Sequence, residues 1–240
     1  MNREEDGDDE VVCLDESFFI NDDYQLTTFT FGSQVLHLFC LQSASTDFDL
    51  TGQLVWPGAM LMNDYLSKNP DVLQASSILE LGSGVGVTGI LCSRFCREVL
   101  LTDHNEEVLK ILKKNIEHHT SSENPNSDAG LAVEKLEWGN SDQINKIIQK
   151  YPGGFDLILG ADICFQQSSI SPLFDTVEQF LRLKGRGQCK FILAYVSRAK
   201  SMDSMVLNEA TRHGLLINEI VGTRSVVGNL EGVIFEVTLK

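Results

Sequence analysis

The stretch ILELGSGVGVTGI, Ile78 to Ile90, can be read in two registers. Counted from Gly84, the run Gly84-Val85-Gly86-Val87-Thr88-Gly89 fits G-x-G-x-x-G, a dinucleotide fingerprint. Counted from Glu80, it is an acidic glycine loop, Glu80-x-Gly82-x-Gly84-x-Gly86. In the dinucleotide fingerprint the first glycine turns the chain where the strand ends, and the third lets the helix pack on the sheet. Ile78-Leu79-Glu80-Leu81 reads as a short buried strand, so the turning glycine is Gly82. Counting from Gly82 puts Val87, not glycine, in third place, which weakens the dinucleotide reading. Gly89 then falls near the start of the helix, where it allows close approach to the sheet.

Outward from this loop, strands and helices alternate. Val87, Ile90, Leu91 and Phe95 mark one helix face at i, i+3, i+4 and i+8. Val99-Leu100-Leu101 is a second strand, followed by a helix with Glu106 and Glu107 in its first turn and Lys113 and Lys114 in its last, as the macrodipole favours. LAVEKLEW is a third strand; Ile144, Ile147 and Ile148 mark a short helix ended by Pro152-Gly153-Gly154. Phe155 to Ala161 is a fourth strand, apolar except for Asp156. Ser171-Pro172 is expected to open the next helix, closed near Gly185. Lys190 to Val196 is a fifth strand, Met202 to His213 a helix, and LLINEIVG and VIFEVTLK two final strands. This alternation predicts an α/β, Rossmann-like, seven-stranded, mostly parallel sheet with helices on both faces. The last two strands have no helix between them, so a C-terminal strand is expected to run antiparallel.

Before the glycine loop, YQLTTFTFGSQVLHLFCLQ gives two β-rich runs joined at Gly32-Ser33, a loop suited to a type II′ hairpin. A helix is expected from Ala59 to Lys68, with Pro70 after its end. HHTSSENPNSDAG, His118 to Gly130, is polar enough to be expected as a mobile loop with solvated histidines. The expected organisation is an acidic tail over 1–23, a hairpin extension over 24–50 and the main domain over 51–240.

The formal net charge is −15, and residues 1–23 hold ten acids against Arg3 alone, so the tail supplies −9 and the body −6. A solvated, disordered tail is the expectation for such a composition. An acidic chain argues against tight binding to a nucleic-acid backbone and leaves room for a basic protein segment as partner. No apolar run approaches the ~18 residues of a membrane span, and MNREEDGDDE has no signal-peptide character. A cytoplasmic protein, with the nucleus open, is expected, and a monomer. The cysteines Cys13, Cys40, Cys92, Cys96, Cys164 and Cys189 form no C-x-x-C pair; reduced, buried thiols are expected and no metal.

Three residues bear on the cofactor. Glu80 is an acid at the end of a buried strand, where an unpaired charge is expensive, so it needs a cation or loop amides as partner. Asp103, ending the second strand in LLTDHN, is placed to take the hydroxyls of a ribose, or to cap the following helix. Trp138, in the otherwise polar EWGNSD, offers a flat apolar wall, with core packing as its alternative. A second domain of the kind that a dehydrogenase usually needs is not expected.

With Glu80 to Gly86, Asp103 and this strand order, the chain resembles the seven-β-strand S-adenosylmethionine-dependent methyltransferases over roughly residues 50–240. TGQLVWPGAMLM, LEWG and GADICF resemble, more narrowly, the small non-SET protein-lysine methyltransferases. The resemblance implies S-adenosylmethionine as cofactor, with Trp56, Glu80 and the Gly82-Ser83-Gly84 loop, followed by Gly86, around its methionine part. It further implies Asp103 on the ribose, Trp138 against the adenine and Ala161 beside the sulfur. The family's acid-x-x-Tyr motif here reads Asp162-Ile163-Cys164-Phe165, which keeps the aromatic wall and loses the hydroxyl. No proline follows Asp162, which separates the chain from the amino-methylating DNA and RNA enzymes. The implied activity is methylation of a lysine in a protein substrate, with Asp162 orienting the amine and Phe165, together with Tyr195, forming an apolar slot that lowers the lysine pKa. Arginine or small-molecule methylation on the same core, or a cofactor-binding module, are the alternatives.

Overall fold

The computed structural model describes residues 24–43, 48–74, 76–122, 130–185 and 187–240. The acidic stretch 1–23 lies outside them. Strand β1 (Gln25–Phe31) and strand β2 (Gln34–Cys40) form the antiparallel hairpin. Gly32 has φ 59°, the left-handed first position that a type II′ turn requires. A 3₁₀ turn (Phe48–Gln53) leads into helix α1 (Pro57–Lys68), which begins at Pro57, two residues before the expected start, because proline suits the first helical position.

The main sheet runs through β3 (Ser77–Leu81), β4 (Glu98–Asp103), β5 (Gly130–Lys135), β6 (Leu157–Ala161), β7 (Lys190–Val196), β8 (Leu215–Glu219), β9 (Ser225–Val227) and β10 (Leu230–Leu239). The spatial order is β5-β4-β3-β6-β7-β10-β8, with the short β9 paired to β10. The pairs β3–β4, β3–β6, β4–β5 and β6–β7 are parallel, whereas β10 is antiparallel to β7, β8 and β9. The mostly parallel sheet with an antiparallel C-terminal strand is therefore as the sequence predicts. The added strand is β9: the turn at Gly228, φ 63°, folds residues 225–232 into a small hairpin too short to read from alternation.

Residue alternation places the helices on both faces. Leu79, Leu81, Ile158 and Leu193 pack under α4 (Ser141–Lys150), α5 (Gln167–Lys184) and α6 (Lys200–Arg212). Ile78, Val99, Leu157 and Ala194 pack under α1, α2 (Val87–Cys92) and α3 (Glu106–Ser122). Helix α5 starts at Gln167, not at Ser171, and carries Pro172 inside it. Only one amide bond is lost that way, the one to the Ser168 carbonyl, and the hydroxyl of Thr176 donates to the Pro172 carbonyl at 2.8 Å. Helix α2 ends at Cys92, so Phe95 follows the helix and packs from the turn beyond it.

Helix α3 runs on through Ser122, which corrects the expectation of a loop for residues 118–122; residues 123–129, the rest of that stretch before Gly130, lie outside the described residues. One ring contact and one burial accompany the extension: His118 meets Phe39 edge-on with ring centres 5.3 Å apart, and His119 is buried. Burial pushes the His119 pKa down to about 4, so the residue is neutral at physiological pH. The hairpin is likewise no loose extension. Phe31, Leu36 and Leu38 are buried against Ala59, Val87, Ile90 and Leu91. Asn115 on α3 accepts from the Phe39 amide at 2.7 Å and donates to the carbonyls of Phe39 and Val85, each at 2.9 Å. The hairpin is thus bonded through one buried amide to the glycine loop.

The described cysteines Cys40, Cys92, Cys96, Cys164 and Cys189 are free thiols. Among the described residues no helix is long and apolar enough to cross a membrane, and no group of three or more His, Cys, Asp or Glu is arranged to hold a metal ion.

Candidate active site

The strand order reverses between β3 and β6, and in open α/β sheets ligands gather beyond the carboxyl ends of the strands at that point. A cavity of about 400 Å³ lies there, within the roughly 300–1,000 Å³ of small-molecule sites.

Its floor is the loop after β3. Strand β3 ends at Leu81 and the chain turns at Gly82, φ 63°, and again at Gly84, φ 53°. The Ser83 amide donates to the Thr102 carbonyl at 2.8 Å and the Thr102 amide donates to Ser83 Oγ at 3.0 Å, which pins the loop to β4. A Cβ on Gly82 would come within 2.9 Å of Ile163, so the loop after β6 presses directly on it. The predicted register is the observed one. Gly89 lets α2 close on the sheet, since a Cβ there would lie 2.5 Å from Leu101. Gly86, φ 88°, does not line the cavity: it caps α2 with its back to Leu112, and its role is packing.

Asp103 is buried at the cavity edge, and one carboxylate oxygen accepts the Gly84 amide at 3.1 Å. The other accepts the amides of His104 at 2.8 Å and Asn105 at 3.2 Å. Capping of α3 falls to Asn105, whose side chain accepts the Glu107 amide at 2.8 Å. Asp103 therefore ties the loops after β3 and β4 together at the cavity wall.

Glu80 is buried, lines the cavity and accepts the Gly89 amide at 3.0 Å. Burial raises its pKa to about 8, against the pull of Ser83, Gly89 and Thr88. Among the described residues no cation contributes to that shift. In the ligand-free protein a folded pKa above the unfolded 4.5 means that its favourable contribution is complete below 4.5 and lost as pH rises through 8. Thermal melts over that window should show the wild type losing stability relative to Glu80→Gln; parallel pH profiles of the two proteins would refute the shift.

Trp56, Trp138, Ala161, Asp162 and Phe165 all line the same cavity. Trp56 immediately precedes α1, and its indole N–H donates to the Thr51 carbonyl at 2.8 Å. Trp138 packs partly on the α4–α5 core while its ring edge approaches Gly82. Phe165 is 40% exposed at the mouth. Tyr195, in contrast, is turned away: it is buried in the core and its hydroxyl donates to Asp203 at 2.6 Å, so it forms no part of a slot with Phe165. Asp162 also differs from expectation. Its carboxylate is held by the Arg198 guanidinium, at 2.5 and 3.0 Å, and by the Gly58 amide at 2.9 Å. Sequence reasoning did not find Arg198, Glu137 or His104; the last two line the rim from the loops after β5 and β4, where only the strand ends could have pointed to them.

The sequence model of the lysine methyltransferase family matches residues 40–213, a span that contains every element of this cavity. The chain belongs to that family. Mouse protein N-lysine methyltransferase METTL21A is 31% identical over 125 residues, covering 52% of this chain and 53% of its own. The protein-lysine N-methyltransferase EFM3 of Chaetomium thermophilum is 30% identical over 166 residues, covering 67% of this chain and 48% of its own. The chain spans about half the length of these relatives. Among solved structures, the T. thermophilus 16S rRNA N2 G1207 methyltransferase RsmC, in complex with AdoMet and guanosine, aligns over 90% of this chain and 51% of that one with a TM-score of 0.59 and 13% identity. At that identity the likeness is one of fold.

The lysine methyltransferase family implies S-adenosylmethionine, and the residues present fit it. The glycine turns bring bare backbone to the cavity floor, Glu80 is a buried carboxyl with no cation among the described residues acting on it, and Trp138 is a flat wall beside the glycine loop.

Proposed function

We propose that this chain transfers a methyl group from S-adenosylmethionine to a lysine side chain of a protein, working as a monomer in the cytoplasm or nucleus. The observation that carries the reading is the single cavity in which the Glu80-to-Gly84 floor and Asp103 meet the Asp162–Phe165 loop, in a chain of the lysine methyltransferase family. The free cysteines suit a reducing compartment.

When bound, the cofactor supplies a methyl group activated by its sulfonium. Glu80 would take the ammonium end, Ser83 and the Gly82 and Gly84 backbone the methionine part, Asp103 the ribose and Trp138 the adenine. Ala161, a small residue at the end of β6, leaves room beside the reacting sulfur. The protein then has to align a neutral amine; a lysine of pKa ~10.4 gives up its proton at a cost of about 4–5 kcal/mol at pH 7 unless it is desolvated. Phe165 and Trp56 provide the apolar surface for that desolvation.

Incubation with labelled S-adenosylmethionine and a cell extract should label a protein on lysine; label on arginine or on a small molecule alone would support the alternatives. Calorimetry should show binding of S-adenosylmethionine and its demethylated product without competition from NAD. Displacement by NAD at similar concentration would overturn the glycine register. Asp103→Ala should weaken cofactor binding by about 1.5–3 kcal/mol, the size of hydrogen bonds to a charged group. An unchanged affinity would leave Asp103 as a loop tie alone.

A further inference from the structure

Asp162 lines the cavity, yet its carboxylate is engaged from behind. The side chain is 1% exposed, both oxygens are bound by Arg198, and Oδ2 also accepts the Gly58 amide. The residue is held at φ 59°, the one left-handed non-glycine among the described residues. Arg198 itself does not line the cavity. It lies in the β7–α6 connection with its guanidinium carbon 5.8 Å from the centre of the Trp56 ring. The connection is fastened in turn: Asp203 accepts the hydroxyls of Tyr195 at 2.6 Å and Ser197 at 2.9 Å. One cation thus touches two walls of the site, Asp162 and Trp56, from a braced loop.

We propose that Arg198 is a positioning residue that cancels the charge of Asp162, so that the slot beside Trp56 and Phe165 admits a neutral amine instead of holding an ammonium. This deepens the lysine-methylation reading and rests on it. A buried carboxylate beside an amine favours its charged form, and an ammonium has no lone pair with which to displace a methyl group. The guanidinium fork removes that bias and fixes the carboxylate in one plane. The titratable groups facing the pair do not replace it. Tyr195 on β7 and the Cys164 thiol after β6 are both pushed up by burial and stay neutral. The Asp203 carboxylate on α6 is occupied by two hydroxyls, and Glu80, Asp103, Glu137 and His104 belong to the other walls of the cavity.

The test compares wild type, Arg198→Ala and Arg198→Lys, each saturated with S-adenosylhomocysteine, by titration with n-butylamine, cationic at pH 7, and with n-butanol. Binding is followed by NMR. Arg198→Ala should bind the butylammonium tighter by roughly fivefold, a modest ion pair. Arg198→Lys should stay near wild type, and n-butanol should bind all three alike. In single-turnover methylation of the labelled protein, the acid limb of the pH profile should move to higher pH in Arg198→Ala and not in Arg198→Lys. Loss of amine and alcohol together in Arg198→Ala, or equal behaviour of the two variants, would overturn the proposal and leave Arg198 as a structural brace. Absence of any lysine product in wild type, with the amine selectivity as expected, would instead overturn the lysine reading alone.

Discussion

Asp162→Asn should lower turnover of the labelled protein substrate by roughly 100-fold or more, the cost of misplacing a reacting group by about 1 Å. Cofactor affinity should move by less than about threefold, on the order of 0.6 kcal/mol. The amide cannot satisfy both arms of the Arg198 fork, and it leaves a guanidinium uncompensated behind the cavity wall. The loop from Asp162 to Phe165 would lose the bond that holds its left-handed first residue. Folding stability should fall by about 2–3 kcal/mol, below the figure for a wholly buried pair because the Arg198 side chain stays 29% exposed. Single-turnover methylation, calorimetry and denaturant unfolding measure the three quantities. If cofactor binding and transfer fell in equal proportion, Asp162 would belong to the cofactor half of the site.

Gly84→Ala should weaken S-adenosylmethionine binding by about 100-fold, close to 2.7 kcal/mol. A Cβ at Gly84 would stand 2.7 Å from the Gly52 carbonyl oxygen and 3.4 Å from the Gly52 Cα, and backbone cannot rotate aside as a side chain can. The φ of 53° adds roughly 1–2 kcal/mol for any residue with a Cβ. The loop must move, and the Gly84 amide with it, away from Asp103. Gly86→Ala is the control: its Cβ would meet the Leu112 side chain at 2.5 Å, away from the cavity, so it should lower the melting temperature more than the affinity. A larger affinity loss from Gly86→Ala than from Gly84→Ala would contradict the placement of the two glycines.

The elements of this protein were legible because each is written locally. A β-branched and leucine-rich run long enough for one strand, and a glycine where the chain must turn with φ above zero, both act within a few residues. Hence the β3 end at Leu81, the turn at Gly82 and the parallel alternation could be read from Ile78 to Ile90 and its flanks. The choice of Gly82 as the turning glycine followed from that strand end, and Asp103 stood out because it ends a strand, whereas Trp56, Ala161 and Phe165 were singled out by the resemblance carried by TGQLVWPGAMLM and GADICF. Local rules misled in two ways: Phe39, distant in sequence, packs on the prolonged end of α3, and the missing bond at Pro172 was tolerable inside α5 because only one carbonyl lost its donor.

What the sequence alone determined was the seven longer strands of the main sheet, the helices between them without all of their ends, and the glycine turn, since these depend on backbone sterics and on burial periodicity within a short window. Only the tertiary structure decided that Asp162 faces Arg198, 36 residues on, that Tyr195 turns to Asp203 and not to the slot, and that Asn115 binds the hairpin to the glycine loop. Such pairings depend on which strands become neighbours and on how the loops at one end of the sheet converge. A buried carboxylate needs a partner, but which cation supplies it is settled by that convergence, not by anything within the reach of a local pattern.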